Sequence, residues 1–405
     1  MRYLINGLPY LSDQPGFHEA LAELTPPRRV FCMCKSPAVE MSVHLVRGAY
    51  HLWCMPNTAG KHASDCSHYE PPLSISGKAQ VMGSAIDESQ EGEVTLRLDF
   101  PLTKIAGRAP PAPKAGTPEN AKSDPTKLTM RGLLHYLWQE AGFHKWSPRM
   151  AGKRSDWVFQ KYLMLAAANK RMRAGNLADL LVIPKPEGSA RVNPAETANT
   201  SLKLTRASTD STGARRLALV LGEVREFEPG ALTNRVRLVN MGDQALELPD
   251  DLFKKVQKAF GAQLSMWEPG KNKLMMLASY YMGPVGNSVV SELVLMNTTQ
   301  DLMPFESLFE YHLIDVLTDS KRRFSKSLRF NLNVKTPIAS AVLTDTEHPC
   351  ALFIQNPGAD QDAYKACLSE AEEEGLWTWL WRAGVEGEPA LPSPVPVRAL
   401  GGAHV

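Results

Sequence analysis

The chain has 405 residues with 45 basic and 43 acidic side chains, a formal charge of +2, so its overall charge names no polyanionic partner. Hydrophobic residues at 43% and charged residues at 22% describe a globular chain and exclude a wholly disordered or fibrous one. Apolar runs such as residues 274–278 are far shorter than the roughly 20 residues that cross a bilayer, and Met1-Arg2-Tyr3-Leu4-Ile5-Asn6-Gly7 lacks a signal-peptide core. A cytoplasmic protein with no membrane contact is therefore expected.

In chain order, residues 1–105 read as a β-rich module. Residues 41–46 and 50–55 are apolar strands flanking Arg47-Gly48-Ala49, a hairpin pattern, and residues 93–100 alternate polar with apolar. Residues 106–125 carry Pro110, Pro111, Pro113, Pro118 and Pro125 and read as a linker. Residues 126–186 are helical: Leu133, Leu134, Leu137 and Trp138 recur at helical spacing until Gly142, and Ser155 is an N-cap candidate for a second helix. Residues 187–213 are polar and read as a second linker. Residues 214–385 alternate strands and helices, with strands near 217–224, 273–281, 289–296, 340–344 and 351–355. Helices are expected near 256–264, 305–317 and 360–381. Residues 386–405 hold Pro389, Pro392, Pro394 and Pro396 and read as a disordered tail. The expected class is α+β and multi-domain: a β-rich metal module, a basic helical module of helix-turn-helix or winged-helix type, and an α/β domain.

Four of the six cysteines, Cys32, Cys34, Cys54 and Cys66, fall in the first sixty-six residues. Cys32-Met33-Cys34 is followed, after the hairpin, by His62-Ala63-Ser64-Asp65-Cys66-Ser67-His68. Zinc prefers four tetrahedral nitrogen and sulfur ligands, and two short pairs joined by a folded segment supply them. Cys32, Cys34, His62 and Cys66 are the expected zinc ligands, with His68 as an alternative fourth and Cys54 as a further candidate. The competing reading is of ordinary buried thiols, against which the polar neighbours Lys35, Lys61, Ser64 and Asp65 count.

Between Lys127 and Gly175 ten lysines and arginines stand against Glu140 and Asp156, a net +8 interleaved with Tyr136, Trp138, Phe143, Trp146, Trp157, Phe159 and Tyr162. Lys145, Arg149, Lys153, Arg154 and Lys161 are the expected nucleic-acid contacts, DNA rather than RNA, placed at a turn and at the start of the next helix where phosphate contacts fix orientation. The plainer alternative makes the tryptophans a core and the cations its solvated rim.

Glu306 and Glu310, four apart on the expected helix, precede Asp345, Glu347 and two short apolar strands. This order resembles the core of restriction-endonuclease-like nucleases, in which clustered carboxylates hold a divalent metal and a lysine serves the attacking water. Ser340 stands where that pattern has aspartate, and Phe353 and Gln355 stand where it has Glu-x-Lys. The resemblance implies an inactive binding scaffold. The alternatives are a divergent nuclease using Glu306, Glu310 and Asp345, or an unrelated α/β domain.

Cys32-Met33-Cys34, the run from Met55 to Pro72 with His62 and Cys66 inside it, Trp146-Ser147-Pro148, Leu221-Gly222-Glu223-Val224 and Met303-Pro304-Phe305-Glu306 together resemble a bacterial family, domain of unknown function 1173. That resemblance implies a protein of plasmids and integrative elements. The leading expectation is a zinc-containing, non-catalytic, nucleic-acid-associated accessory protein. A protein-binding scaffold of a conjugation or partition complex is a further alternative.

Overall fold

The computed structural model describes all residues except 47, 90–92, 106–123, 186–213, 243, 284–285 and 396–405. The expected linkers thus lie almost wholly outside the described residues. The fold is mixed α+β and contains a β-barrel.

The first fifty-four residues form an antiparallel five-stranded sheet, in the order Leu8–Leu11, Arg2–Ile5, Arg29–Cys32, Val39–Val46 and Ala49–Cys54. The expected hairpin sets Met41 opposite Cys54 and Val46 opposite Ala49. Alternation along these strands turns Tyr3, Ile5, Val30, Cys32, Met41 and Val43 into one small core with Phe17 and Leu21 of the helix Phe17–Ala22. Cys66 and Tyr69 complete that core from the following loop.

The chain then departs from a serial arrangement of modules. Val94–Leu96 runs parallel to Lys170–Met172, so residues before and after the first linker share a sheet. Lys145–Trp146 pairs with Phe324–Lys326, and Leu181–Val182 pairs with Ala218–Glu228. Residues 126–186, expected as a helical module, are stitched by their strands into three neighbours. Its helices Met130–Glu140 and Asp156–Ala167 pack on each other and into the core of the barrel. Ser155 caps the second helix as expected, accepting from Val158 N. Thr129 caps the first and is itself held by Asn331 Oδ1.

The barrel is built from Ala218–Glu228, Asn234–Leu238, Leu246–Leu248, Asn272–Met282 and Ser288–Thr299. Its ring closes first to second, second to third, third to fifth, fifth to fourth and fourth back to first. Only the third and fifth strands in that ring are parallel neighbours, and the helices Asp250–Ala259 and Gly261–Met266 lie between the third and fourth. The unbroken apolar runs Leu274 to Ala278 and Leu293 to Met296 are buried on both faces because helices cover the outside. Trp138 joins this core, and its ring N–H donates to Leu302 O at 2.9 Å.

The last sheet runs Lys145–Trp146, Phe324–Lys326, Ala341–Leu343, Cys350–Gln355, Trp377–Arg382. Only its last junction is parallel, and the helix Gln361–Glu373 makes that crossover. Period-two alternation divides its side chains between two cores. Ala341, Leu343, Cys350, Leu352 and Ile354 meet Leu313, Ile314 and Leu317 of the helix Leu308–Asp319, whereas Val342, Ala351 and Phe353 face Ala371.

Three expectations need correction. Residues 360–381 are not one helix: it ends at Glu373, Gly375 turns the chain at φ +81, and the aromatic run from Trp377 is a strand. The helix expected from Phe305 begins at Leu308 behind the N-cap Ser307, leaving Glu306 outside it. Residues 386–395 are not a loose tail. Arg322 donates to Pro392 O, Trp379 to Ala390 O and Val395 N to Asp345 O.

The turn after Phe324–Lys326 buries His135, whose ring Nδ1 accepts from Phe330 N at 2.9 Å. Burial, aided by Arg131, pushes its pKa down to about 3. The unfolded chain takes up a proton near pH ~6.5 and the folded one does not, so this stabilisation is complete above that pH and is lost as pH falls towards 3. Between pH 7 and 5 the group removes about 2 kcal/mol. Urea unfolding at the two pH values should show His135→Asn, which keeps an acceptor, losing about that much less than the wild type.

Candidate metal centre and basic face

Cys32 ends an inner strand of the N-terminal sheet, and Cys34 lies in the turn that follows. His62 follows the short helical turn Ala59–Lys61, and Cys66 closes the next turn, its N–H bonded to Ala63 O. One ligand atom from each of Cys32, Cys34, His62 and Cys66 lies within 4.8 Å of all the others, and the cluster could hold a metal ion.

The spacing tests which ion fits. A tetrahedral zinc with Zn–S of about 2.3 Å and Zn–N of about 2.0–2.1 Å separates two sulfurs by ~3.8 Å and a sulfur from a nitrogen by ~3.5 Å. Cys32 Sγ and Cys66 Sγ are 3.8 Å apart, while His62 Nδ1 is 3.4 Å from Cys34 Sγ and 3.6 Å from Cys66 Sγ. Three soft thiols with one imidazole are also a donor set that zinc prefers. The cluster is compatible with zinc in both distance and chemistry.

The alternative ligands surround this set without joining it. Cys54 Sγ lies 3.7 Å from the other ring nitrogen of His62, Nε2, and donates to His68 O. Burial pushes the Cys54 thiol up to about 11. His68 bonds through Nε2 to Tyr3 Oη at 2.7 Å, and its backbone N–H donates to Cys66 Sγ. Ala63 N donates to Cys34 Sγ. Such outer contacts orient the ligands and offset sulfur charge.

The loop past Cys66 is gripped by the rest of the molecule. Glu70 Oε1 meets Lys145 Nζ at 2.8 Å, and Glu70 Oε2 meets His144 Nε2 at 3.1 Å. Lys145 also donates to Ser67 O and Tyr69 O. Burial alone would raise the Glu70 carboxyl, but Lys145 and His144 hold it well below the usual carboxylate range.

The expected nucleic-acid contacts separate into two groups. Lys145 is spent on that loop. Arg154 lies over the rings of Phe143 and Trp146, and its guanidinium donates to the carbonyls of Phe143, Asp301, Gly142 and Lys145. Arg149, Lys153 and Lys161 are exposed and have no carboxylate partner among the described residues. Lys161 Nζ sits 5.0 Å from the ring centre of Trp157 and 5.7 Å from that of Tyr162, and these rings are 43% and 42% exposed.

Glu306, Glu310 and Asp345, the acids expected at a nuclease centre, are each neutralised. Glu310 Oε1 meets Lys326 Nζ at 3.1 Å, and its Oε2 accepts from Glu306 N. Glu306 meets Arg329 at 2.7 Å, and the cations around it outweigh burial and hold it below the usual carboxylate range. Asp345 takes both ends of the Arg322 fork at 2.8 and 3.0 Å and also the Arg323 N–H. Glu347 is exposed. Among the described residues, no group of three metal-ligating side chains converges except the cysteine–histidine cluster. Ser340, Phe353 and Gln355 are buried.

Sequence reasoning missed the Glu70 grip and the roles of Lys145 and Arg154. Only the Cys54 and His68 positions beside the ligands gave a readable signal, through their spacing. A family model described as a protein of unknown function, DUF1173, matches residues 3–384. The chain belongs to that family. A comparison with curated proteins finds no match. Among the described residues of this DUF1173 member, no helix is long and apolar enough to cross a membrane.

Proposed function

We propose that this DUF1173 protein is a non-catalytic, zinc-stabilised nucleic-acid-binding protein, acting in the bacterial cytoplasm on DNA in the service of a plasmid or integrative element. The observation that carries the reading is Lys161 beside two exposed aromatic rings, Trp157 and Tyr162, a lysine that, like the exposed Arg149 and Lys153, has no acidic partner among the described residues. Unpaired cations attract phosphate, and exposed rings add an apolar contact that a plain solvated rim does not need.

Two likenesses of architecture support a binding role. The closed Greek-key order of the barrel, with its helix between third and fourth strands, is similar to that of oligonucleotide- and oligosaccharide-binding barrels. The order helix, three strands, helix, strand over Leu308–Arg382 resembles the core of restriction-endonuclease-like enzymes. Fold likeness alone assigns no activity. The acids of the second likeness are tied up by Lys326, Arg329 and Arg322, which favours the scaffold reading over the divergent nuclease.

The test is filter binding of DNA at two salt concentrations, with the triple reversal Arg149→Glu, Lys153→Glu and Lys161→Glu. The wild type should bind more tightly at low salt, and the variant should lose tenfold or more. Absence of binding at low salt, or a variant that binds normally, overturns the reading. Magnesium- or manganese-dependent cleavage lost in Glu310→Ala would instead establish the nuclease.

A further inference from the structure

We infer that the ligand of this face is single-stranded nucleic acid, with bases stacked on Trp157 and Tyr162 and phosphates on Lys161, Lys153 and Arg149. The inference rests on the nucleic-acid reading above and narrows it to a substrate class.

The first support is what duplex recognition would need and this segment lacks. A recognition helix enters the major groove while residues of the turn before it grip phosphates. Here the turn's Lys145 is committed to Ser67, Tyr69 and Glu70, and Arg154 is committed to backbone carbonyls. Neither cation can reach a duplex without dismantling an internal contact.

The second support is the surface that remains. Trp157 and Lys161 are four apart on the helix Asp156–Ala167 and share a face, with Tyr162 beside them. A duplex offers phosphates and groove edges, but only unpaired bases offer ring faces to such side chains. Lys161 now occupies the π-faces of both rings. An arriving base takes that place, and the lysine moves to the adjoining phosphate.

The third support is charge elsewhere. An open cavity of about 440 Å³ at the barrel, lined in part by Leu232, Leu248 and Val289, also has Glu247, Asp250 and Asp251 in its lining. Carboxylates there repel a phosphate chain.

The experiment compares a dT oligonucleotide, an rU oligonucleotide and a DNA duplex of equal length by fluorescence anisotropy, using the full chain, Trp157→Ala and Tyr162→Ala. Both rings are exposed, so circular dichroism should confirm unchanged folding. The expected result is that a single strand binds at least tenfold more tightly than the duplex and that each variant loses about tenfold for single strands. Three phosphate contacts should give a log–log salt slope of about −2, from ~0.7 per contact. Tighter binding of dT or of rU tells DNA from RNA, and either supports the inference. Duplex binding that exceeds single-strand binding, or single-strand binding indifferent to both variants, overturns it while leaving the broader reading intact. No binding to any of the three overturns both.

Discussion

Replacing Cys66 by serine should empty the metal site and unfold the N-terminal sheet, while Cys54→Ser should leave one metal bound per chain. The sheet has a small core: Tyr3, Ile5, Phe17, Leu21, Val30 and Met41 are its main members, and Cys32 and Cys66 are themselves among its buried residues. A core of this size depends on a staple. Structural zinc contributes apparent binding free energies of about 10–16 kcal/mol in small domains near pH 7, and much of that is folding free energy. The loss should appear as absent metal by mass spectrometry and as proteolytic cleavage within residues 55–72, reproduced in the wild type by a chelator. A Cys66→Ser protein that retains stoichiometric metal would show the ligand set to be wrong. Loss of metal in Cys54→Ser would move that cysteine from the surroundings of His62 into the first coordination sphere.

Arg322→Ala should be the most damaging substitution outside the metal site. The Arg322 and Asp345 side chains are 5% and 8% exposed, and the pair is bidentate. Removing the arginine leaves a buried carboxylate with only the Arg323 N–H, and it also frees Pro392 O. Breaking a buried pair in this way costs about 3–5 kcal/mol. For a protein of this size that lowers Tm by about 4–6 °C. Lys365→Ala is the contrast: its partner Asp362 is exposed and i,i+3 on one helix, so the change should stay within about 0.5 kcal/mol. Differential scanning fluorimetry of both variants decides the point. Equal small shifts would mean that the buried pair contributes no more than the surface one.

What the sequence disclosed follows from how local each signal is. The candidate metal cluster was readable because Cys-x-Cys and His-x-x-x-Cys are short spacings joined by a hairpin that the alternation of residues 41–54 announces. The long barrel strands were readable as apolar runs such as 274–278, although their closure into a ring was not, because register between distant strands leaves no periodic mark. The helix expected through Trp381 failed because Gly375 was outweighed by the acidic helical stretch before it. Arg154 and Lys145 looked like a binding pair because charge is visible in a sequence. The carbonyls that take them up belong to residues as distant as Asp301 and Ser67.

The two-residue strand Lys145–Trp146 has an outsized consequence. Its backbone extends the last sheet through Phe324 and Ser325, while its lysine hooks the loop that carries Cys66. The beginning and end of the polypeptide are thereby yoked through its middle. Translation must run past residue 324 before that edge finds its mate, so the loop beyond the cysteines acquires its final seating late. The polypeptide is thus indivisible in assembly even where its composition advertises seams.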